Sequence, residues 1–264
     1  MNNKKVIKLF NIENLNKVLA FLKIIEVGRI FILNLLLFLL DYDIITMEGS
    51  FMKINYEIIM ENELKEIKKL GERPKLLLHS CCAPCSSAIL EFLQDYFDIT
   101  VYFYNPNITF EDEYYKRLNE QREYHKKRGY SIEVIEGEYT PKEDFFEKVK
   151  GLEDKKEGGE RCFKCYTLRM EATAKKAKEL GFDYFSTVLS ISPLKNANWI
   201  NEIGEQLSKK YNIKFLNGDF KKKSRYLRST QISKEYELYR QDYCGCIFSK
   251  LEREKKERLN GGEK

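Results

Sequence analysis

Beyond residue 52 the chain alternates between two hydrophobic patterns, one typical of helices and one typical of strands. The pattern predicts helices at residues 55–70, 88–96, 111–128, 162–180 and 196–211. Short apolar runs predict strands at residues 75–79, 100–104, 131–135, 182–189 and 215–216. Strands that alternate with long helices form βαβ crossovers and a mostly parallel sheet. The sequence therefore predicts a single α/β domain, with its ligand site outside the carboxyl ends of the strands.

Residues 1–51 differ from the rest of the chain. Their apolar stretch, residues 30–40, is shorter than the roughly 20 residues that a bilayer crossing needs, and no small-residue cleavage site follows it. The stretch also fits a helix that lies on a membrane surface. We favour a translated leader, because residues 47–49 can be encoded by a purine-rich ribosome-binding sequence just before a start at Met52. We therefore expect residues 52–264 to form the working domain.

Overall charge does not decide what the protein binds. The chain has 46 basic and 41 acidic side chains, a formal net charge of +5, and 43% hydrophobic residues, which excludes collagen-like and disordered classes. One local run, residues 221–228, interleaves Tyr226 with basic residues. These are Lys221, Lys222, Lys223, Arg225 and Arg228. The run fits either a contact surface for nucleic-acid phosphates or a solvated loop.

The seven cysteines form three tight motifs. A CCxxC motif contains Cys81, Cys82 and Cys85, a CxxC motif contains Cys162 and Cys165, and a CxC motif contains Cys244 and Cys246. Isolated structural cysteines do not cluster in this way, and the chain has no secretory signal that would favour a disulfide scaffold. The motifs therefore indicate metal or redox chemistry.

The spacing of the cysteines leaves the identity of the metal open. Two CxxC pairs can close a tetrahedral zinc site, but that site leaves three thiols without a role. Four thiolates equally suit a [4Fe–4S] cluster, and predicted helix N-termini at Cys85 and Cys162 lower the pKa of nearby thiols. A disulfide between Cys244 and Cys246 closes a very small ring, so it is strained and easily reduced. That property suits a redox relay better than a structural crosslink.

Five segments of the chain resemble the QueH family of epoxyqueuosine reductases, in the family's order and spacing. They are residues 79–86, 161–174, 182–187, 189–196 and 239–249. The resemblance implies a Rossmann-like fold of the HUP type and a cytoplasmic oxidoreductase that works without cobalamin. It also implies the reaction, the reduction of epoxyqueuosine to queuosine at the wobble position of the tRNA anticodon.

The resemblance also implies roles for particular residues. The ligands of a [4Fe–4S] cluster correspond to Cys81, Cys82, Cys162 and Cys165. Cys244 and Cys246 correspond to the redox-active disulfide pair, and Cys85 is the candidate ligand of an additional single iron. The implied partners are a tRNA that bears epoxyqueuosine and an unidentified electron donor. The position of the basic run at residues 221–228, just before the redox pair, favours contact of the run with that tRNA. No membrane partner is expected.

Two other functions fit parts of the sequence. A tRNA sulfur-transfer enzyme of the same fold would need a glycine-rich ATP-binding loop after the first strand, but residues 80–84 contain Pro84 and no glycine, so we expect no ATP use. A zinc-stabilised RNA-binding protein is the non-enzymatic alternative. Of the two histidines, His79 is predicted to be a core residue rather than a proton donor.

Overall fold

Five parallel strands and the helices between them form the part of the chain that the computed structural model describes, residues 54–261. The predicted leader, residues 1–51, lies outside these residues. The strands are β1 Lys75–His79, β2 Asp98–Phe103, β3 Val134–Glu136, β4 Tyr184–Thr187 and β5 Lys214–Phe215. The helices are α1 Tyr56–Leu70, α2 Ala83–Leu93, α3 Glu111–Arg128, α4 Glu160–Glu179, α5 Ala197–Tyr211, α6 Arg225–Glu235 and α7 Ile247–Gly261.

The sheet has the strand order β3-β2-β1-β4-β5, and each neighbouring pair is parallel. This order matches the first five strands of a Rossmann sheet, so the predicted fold class is confirmed. The strand order reverses between β1 and β4, which is where open α/β sheets bind their ligands. The turns that follow β1 and β4 are therefore the places to look for a site.

Strand β1 lies at the centre of the sheet, between β2 and β4. Leu76, Leu77 and Leu78 are fully buried, because helices cover both faces of the strand. This explains why β1 is a continuous apolar run rather than an alternating one. None of the helices within residues 54–261 has the length and hydropathy that a bilayer crossing requires.

Helix α2 begins five residues earlier than its hydrophobic pattern predicts. Cys82 has the extended backbone of a cap residue, and Pro84 occupies the first turn, where its missing N–H group costs no hydrogen bond. The helix therefore starts at Ala83, directly after the two adjacent cysteines. As a result Cys85 lies in the first helical turn, as predicted, and points back toward the turn after β1.

Candidate metal and redox centre

The CCxxC motif brings three sulfur atoms together at the carboxyl end of β1. The Sγ atoms of Cys81, Cys82 and Cys85 all lie within 4.8 Å of one another, and those of Cys81 and Cys82 are 3.9 Å apart. Thiolates at roughly 2.3 Å from a tetrahedral metal ion are about 3.8 Å apart. The triad therefore has a spacing that suits metal ligation.

The three thiols of this triad cannot all ionise while no cation is bound. Hydrogen bonds from the thiols of Cys82 and Cys85 hold the pKa of Cys81 well below its usual range. In turn, burial raises the pKa of Cys82 well above its usual range, and the bond to Cys81 raises the pKa of Cys85 to about 12. One thiolate beside two thiols attracts a cation, and metal binding would release the remaining protons.

The CxxC and CxC motifs meet on the other side of the centre. Helix α4 begins at Glu160, so Cys162 and Cys165 lie in its first turns. Cys165 packs against Cys246 in a small apolar cluster. All four thiols of the two motifs line one small cavity: Cys162, Cys165, Cys244 and Cys246.

A larger open cavity of about 390 Å³ joins the three motifs. Each motif contributes one partly exposed thiol to its wall, and these are Cys85, Cys162 and Cys244. Buried Cys81 also lines this cavity, whereas Cys82, Cys165 and Cys246 lie outside its lining. Residues from the turns after both β1 and β4 form the wall, so this cavity lies at the edge of the sheet where the sequence predicts a ligand site.

The loop that carries the CxC motif is held in place from α3 and the segment before it. Arg117, which is 1% exposed, donates hydrogen bonds from Nη1 to the carbonyl of Cys244 (3.2 Å) and from Nη2 to that of Tyr243 (3.4 Å). Gly245 has a φ of +116°, and a Cβ there would lie 2.9 Å from the side chain of Ile108. Only glycine fits this position, so the two cysteines flank an obligatory tight bend.

Gln241 links this loop to the CCxxC motif. Its Nε2 lies 2.9 Å from the Sγ of Cys82 and 4.0 Å from that of Cys85, so the amide donates to sulfur. Its Oε1 is buried without a hydrogen-bond partner among the described residues. The structure therefore places Gln241 in contact with a candidate ligand.

Two cations that sequence reasoning did not single out complete the centre. Arg169 on α4 is 1% exposed, donates from Nε to the carbonyl of Cys165 (3.3 Å) and leaves Nη2 without a partner in the described chain. Burial opposes its charge, but the thiolates of Cys165 and Cys244 outweigh burial and raise its pKa. Lys195, in the turn after β4, has a raised pKa for the same reason. Both positive charges would offset the negative charge of bound thiolates.

A buried polar network supports the turn of the CCxxC motif from behind. The hydroxyls of Ser80 and Ser86 each donate to Oε1 of Gln121 at 2.9 Å, and Nε2 of Gln121 lies 2.8 Å from Nε2 of His125. Asn105 also donates to the carbonyl of Ser80 (2.8 Å). The network satisfies polar groups on both sides of the two adjacent cysteines, so it fixes the course of the backbone there.

His79 is a core residue, as predicted. Its Nδ1 lies 2.8 Å from the hydroxyl of Thr187, and its Nε2 lies 3.1 Å from the carbonyl of Tyr104. Burial, together with the charge of Arg169, lowers the pKa of His79 to about 3. The imidazole is therefore neutral, and both of its ring nitrogens are hydrogen-bonded within the core.

The basic run at residues 221–228 is engaged with acidic and polar groups of the chain itself. Arg225 is only 8% exposed and pairs with Glu57. The other contacts are Lys221 with Asp219, Lys222 with the side-chain carbonyl of Asn55, Lys223 with Glu61, and Arg228 with Glu91. A phosphate would have to share or displace these partners, so tRNA binding by the run stays a prediction.

A family model described as epoxyqueuosine reductase QueH matches residues 76–252. The chain belongs to this family. All seven cysteines lie inside the matched segment. Curated QueH relatives include those of Streptococcus pyogenes serotype M1, 46% identical over 75% of this chain and 78% of the relative, and of Staphylococcus epidermidis, 45% identical over 75% and 86%.

A third QueH relative, from Thermotoga maritima, is 40% identical over 69% of this chain and 93% of its own length. Among solved structures, the U34-tRNA thiolase NcsA from Methanococcus maripaludis with its [4Fe–4S] cluster has a TM-score of 0.43 and 14% identity. That match covers 72% of this chain and 68% of the thiolase.

Proposed function

We propose that this chain reduces epoxyqueuosine to queuosine at the wobble position of tRNA, as its QueH relatives are named to do. The single observation that carries the proposal is the open cavity into which each cysteine motif presents one partly exposed thiol. A cavity of about 390 Å³ is within the range of small-molecule sites and has room for the modified side group of one nucleotide. A reaction on tRNA implies the cytoplasm.

The reaction requires a fixed number of electrons and protons, which must be delivered at the site. Removing the epoxide oxygen to leave an alkene consumes two electrons and two protons and releases water. The three cysteine motifs around one cavity provide redox-capable groups next to the bound side group. The electrons come from an external donor.

The donor set of the centre fits an iron–sulfur cluster. We assign Cys81, Cys82, Cys162 and Cys165 as its ligands, because thiolates are the ligands such clusters require, and the buried cation Arg169 would offset their negative charge. These residues would hold a cluster whose chemistry is one-electron transfer. Cys85, which faces the cavity, is the candidate ligand of a separate iron that would supply Lewis acidity.

Cys244 and Cys246 suit the storage of an electron pair. A dithiol gives up two electrons when it closes to a disulfide, and the obligatory bend at Gly245 keeps the two side chains on one short loop. Arg117 fixes the carbonyls on this loop, so Cys244 stays in the wall of the cavity. The pair therefore complements a centre that passes single electrons.

Two exposed side chains at the cavity suit contact with the nucleotides around the modified base. Tyr226 is 39% exposed, and Arg240 is exposed while donating to the hydroxyl of Ser233 (3.0 Å). Both residues line the cavity. Unstacked loop bases of RNA stack on tyrosine rings and arginine planes, so these two side chains would hold the loop while the modified base enters.

Replacing Lys221, Lys222 and Lys223 together by glutamine is expected to weaken tRNA binding. If all three contact phosphates, the negative slope of log K for tRNA binding against log salt concentration becomes shallower by up to about three units. Cluster content should not change, because none of the three is a ligand. A salt titration of tRNA binding measures the slope.

The matched control for this triple variant is the replacement of Lys175, Lys176 and Lys178 by glutamine. These residues lie near the far end of α4, roughly 20 Å from Cys162 along the helix axis. Equal slopes for the native protein and the variant at residues 221–223 would mean that the internal ion pairs of the run exclude phosphates. The tRNA surface would then have to lie on α3.

The proposed function is tested with an anticodon stem-loop that carries epoxyqueuosine. The anaerobically reconstituted protein and a chemical reductant should convert it to queuosine, seen in mass spectrometry as the loss of one oxygen atom. Iron, sulfide and zinc are measured on the same sample. A colourless protein with stoichiometric zinc that binds the stem-loop without converting it would instead support a zinc-stabilised RNA-binding protein.

A further inference from the structure

Gln241 contacts both the open cavity and the sulfur of a candidate metal ligand. Its side chain lines the cavity, and its Nε2 lies 2.9 Å from the Sγ of Cys82, which is 1% exposed. Cys82 belongs to the triad whose sulfur spacing suits metal ligation. An amide N–H group therefore points at a buried sulfur beside the position where a metal centre would be held.

The backbone that leads to Gln241 is fixed from two helices. The N–H group of Tyr239 donates to Oε1 of Glu120 on α3 (2.7 Å). The guanidinium of Arg240 donates to the hydroxyl of Ser233 on α6 (3.0 Å). These bonds anchor the two residues before Gln241, so the fold itself directs the amide toward the triad.

A packing role alone does not explain an amide at this position. The Oε1 atom of Gln241 is buried without a hydrogen-bond partner among the described residues, and burying an unpaired oxygen costs stability. A methionine or leucine side chain would fill the same space without that cost. The contact of Nε2 with sulfur is therefore the interaction that requires the amide.

We propose that Gln241 is a positioning residue whose hydrogen bond to the sulfur of Cys82 raises the reduction potential of the metal centre that this cysteine holds. The inference rests on the proposed function, which assigns Cys82 as a cluster ligand. A ligating thiolate has no proton and can only accept hydrogen bonds, and Nε2 is a donor within reach. An electron taken from the external donor makes the sulfur atoms of the centre more negative without making or breaking a bond. The hydrogen bond is then stronger, so it stabilises the reduced state.

The first test measures the reduction potential of the anaerobically reconstituted protein, so it does not depend on turnover. Gln241→Met and Gln241→Leu both remove the N–H donor, but they differ in shape. Loss of one hydrogen bond to a charged acceptor corresponds to about a tenfold fall in the equilibrium constant for reduction, or about 59 mV for a one-electron couple. Both variants should therefore shift the potential to more negative values by a similar amount, whereas an effect of packing would differ between the two shapes.

The matched control is Gln206→Leu on the exposed face of α5, which makes the same chemical change away from the cavity and should keep the native potential. A second measurement is the resonance Raman spectrum in deuterated water. Exchange of a donated proton for deuterium shifts the stretching frequencies of the metal–sulfur bonds to the accepting sulfur. This shift should be smaller in both Gln241 variants than in the native protein and the control.

The outcomes separate this inference from the proposed function. If the native protein holds a cluster but does not convert the epoxyqueuosine stem-loop, the proposed function is wrong, and the potentials still decide the role of Gln241. If both variants keep the native potential, the role of Gln241 is wrong and the function stands. Loss of the cluster from both variants would also overturn the role, because Gln241 would then be needed to hold the centre rather than to set its potential. A native protein without iron and sulfide would overturn both.

Discussion

Replacing any one of Cys81, Cys82, Cys162 or Cys165 by alanine is expected to remove the bound iron and sulfide, together with the visible absorbance of the cluster and all turnover. Each residue supplies one of four thiolates, and a cluster that loses a ligand is exposed to solvent and exchange. Iron and sulfide analysis after anaerobic reconstitution measures the loss. Far-UV circular dichroism shows whether each variant is folded.

The control for the ligand variants is Cys85→Ala, which should keep the cluster while lowering turnover through the separate iron. The comparison is informative because the Sγ atom of Cys85 lies within 4.8 Å of the Sγ atoms of Cys81 and Cys82. Full iron and sulfide in three of the four alanine variants would contradict the ligand set. Loss of the cluster in Cys85→Ala would place Cys85 among its ligands.

Replacing Cys244 or Cys246 by serine is expected to abolish turnover without loss of iron. The two thiols lie on the loop that Arg117 holds, and we assign them an electron pair rather than a metal. After mild oxidation the native protein should show two fewer titratable thiols than after reduction, while neither single variant shows that difference. The Cys246 side chain packs against Cys165, which is an assigned cluster ligand. The serine variants therefore also test whether the CxC motif can change without loss of the cluster that the CxxC motif helps to hold.

Loss of iron from Cys244→Ser or Cys246→Ser would mean that the small cavity between the CxxC and CxC motifs holds metal. All four thiols of these motifs line that cavity, so this outcome has a clear structural basis. The redox relay would then be wrong, and the CCxxC triad would be left to hold the separate iron. The two sets of cysteine variants together therefore decide which thiols ligate metal and which carry electrons.

The fold could be predicted because its central strands and helices follow from local sequence patterns. Residues 75–79 form β1 as expected, since an apolar run of that length between helices has few alternatives, and 111–128 forms α3 with its predicted bounds. Helix α2 begins earlier than predicted because Pro84 favours a first helical turn that hydrophobic spacing does not reveal. The largely polar helix α6 was not predicted, because its sequence has little hydrophobic periodicity to read.

The candidate site was only partly predictable. The cysteine motifs can be recognised in the sequence by their spacing. Arg169 and Lys195 line the cavity from separate elements of the fold, and no local sequence pattern predicts that they lie close together. The only sequence signal for Lys195 is its place in a Ser-Pro-x-Lys turn after a strand. The ion pairs of the basic run could not be predicted either, because their partners are distant in sequence: Arg225 and Glu57 are 168 positions apart.

The three partly exposed thiols, Cys85, Cys162 and Cys244, make the empty protein vulnerable to air. Oxidation of cysteine to sulfenic acid and beyond follows thiolate character as well as exposure. The wall of the open cavity holds Cys81, whose pKa is held low, beside the one partly exposed cysteine of each motif. Oxidation of the apoprotein can therefore reach all three motifs through a single opening. A preparation that looks folded after aerobic handling can for this reason have lost every motif at its most accessible sulfur.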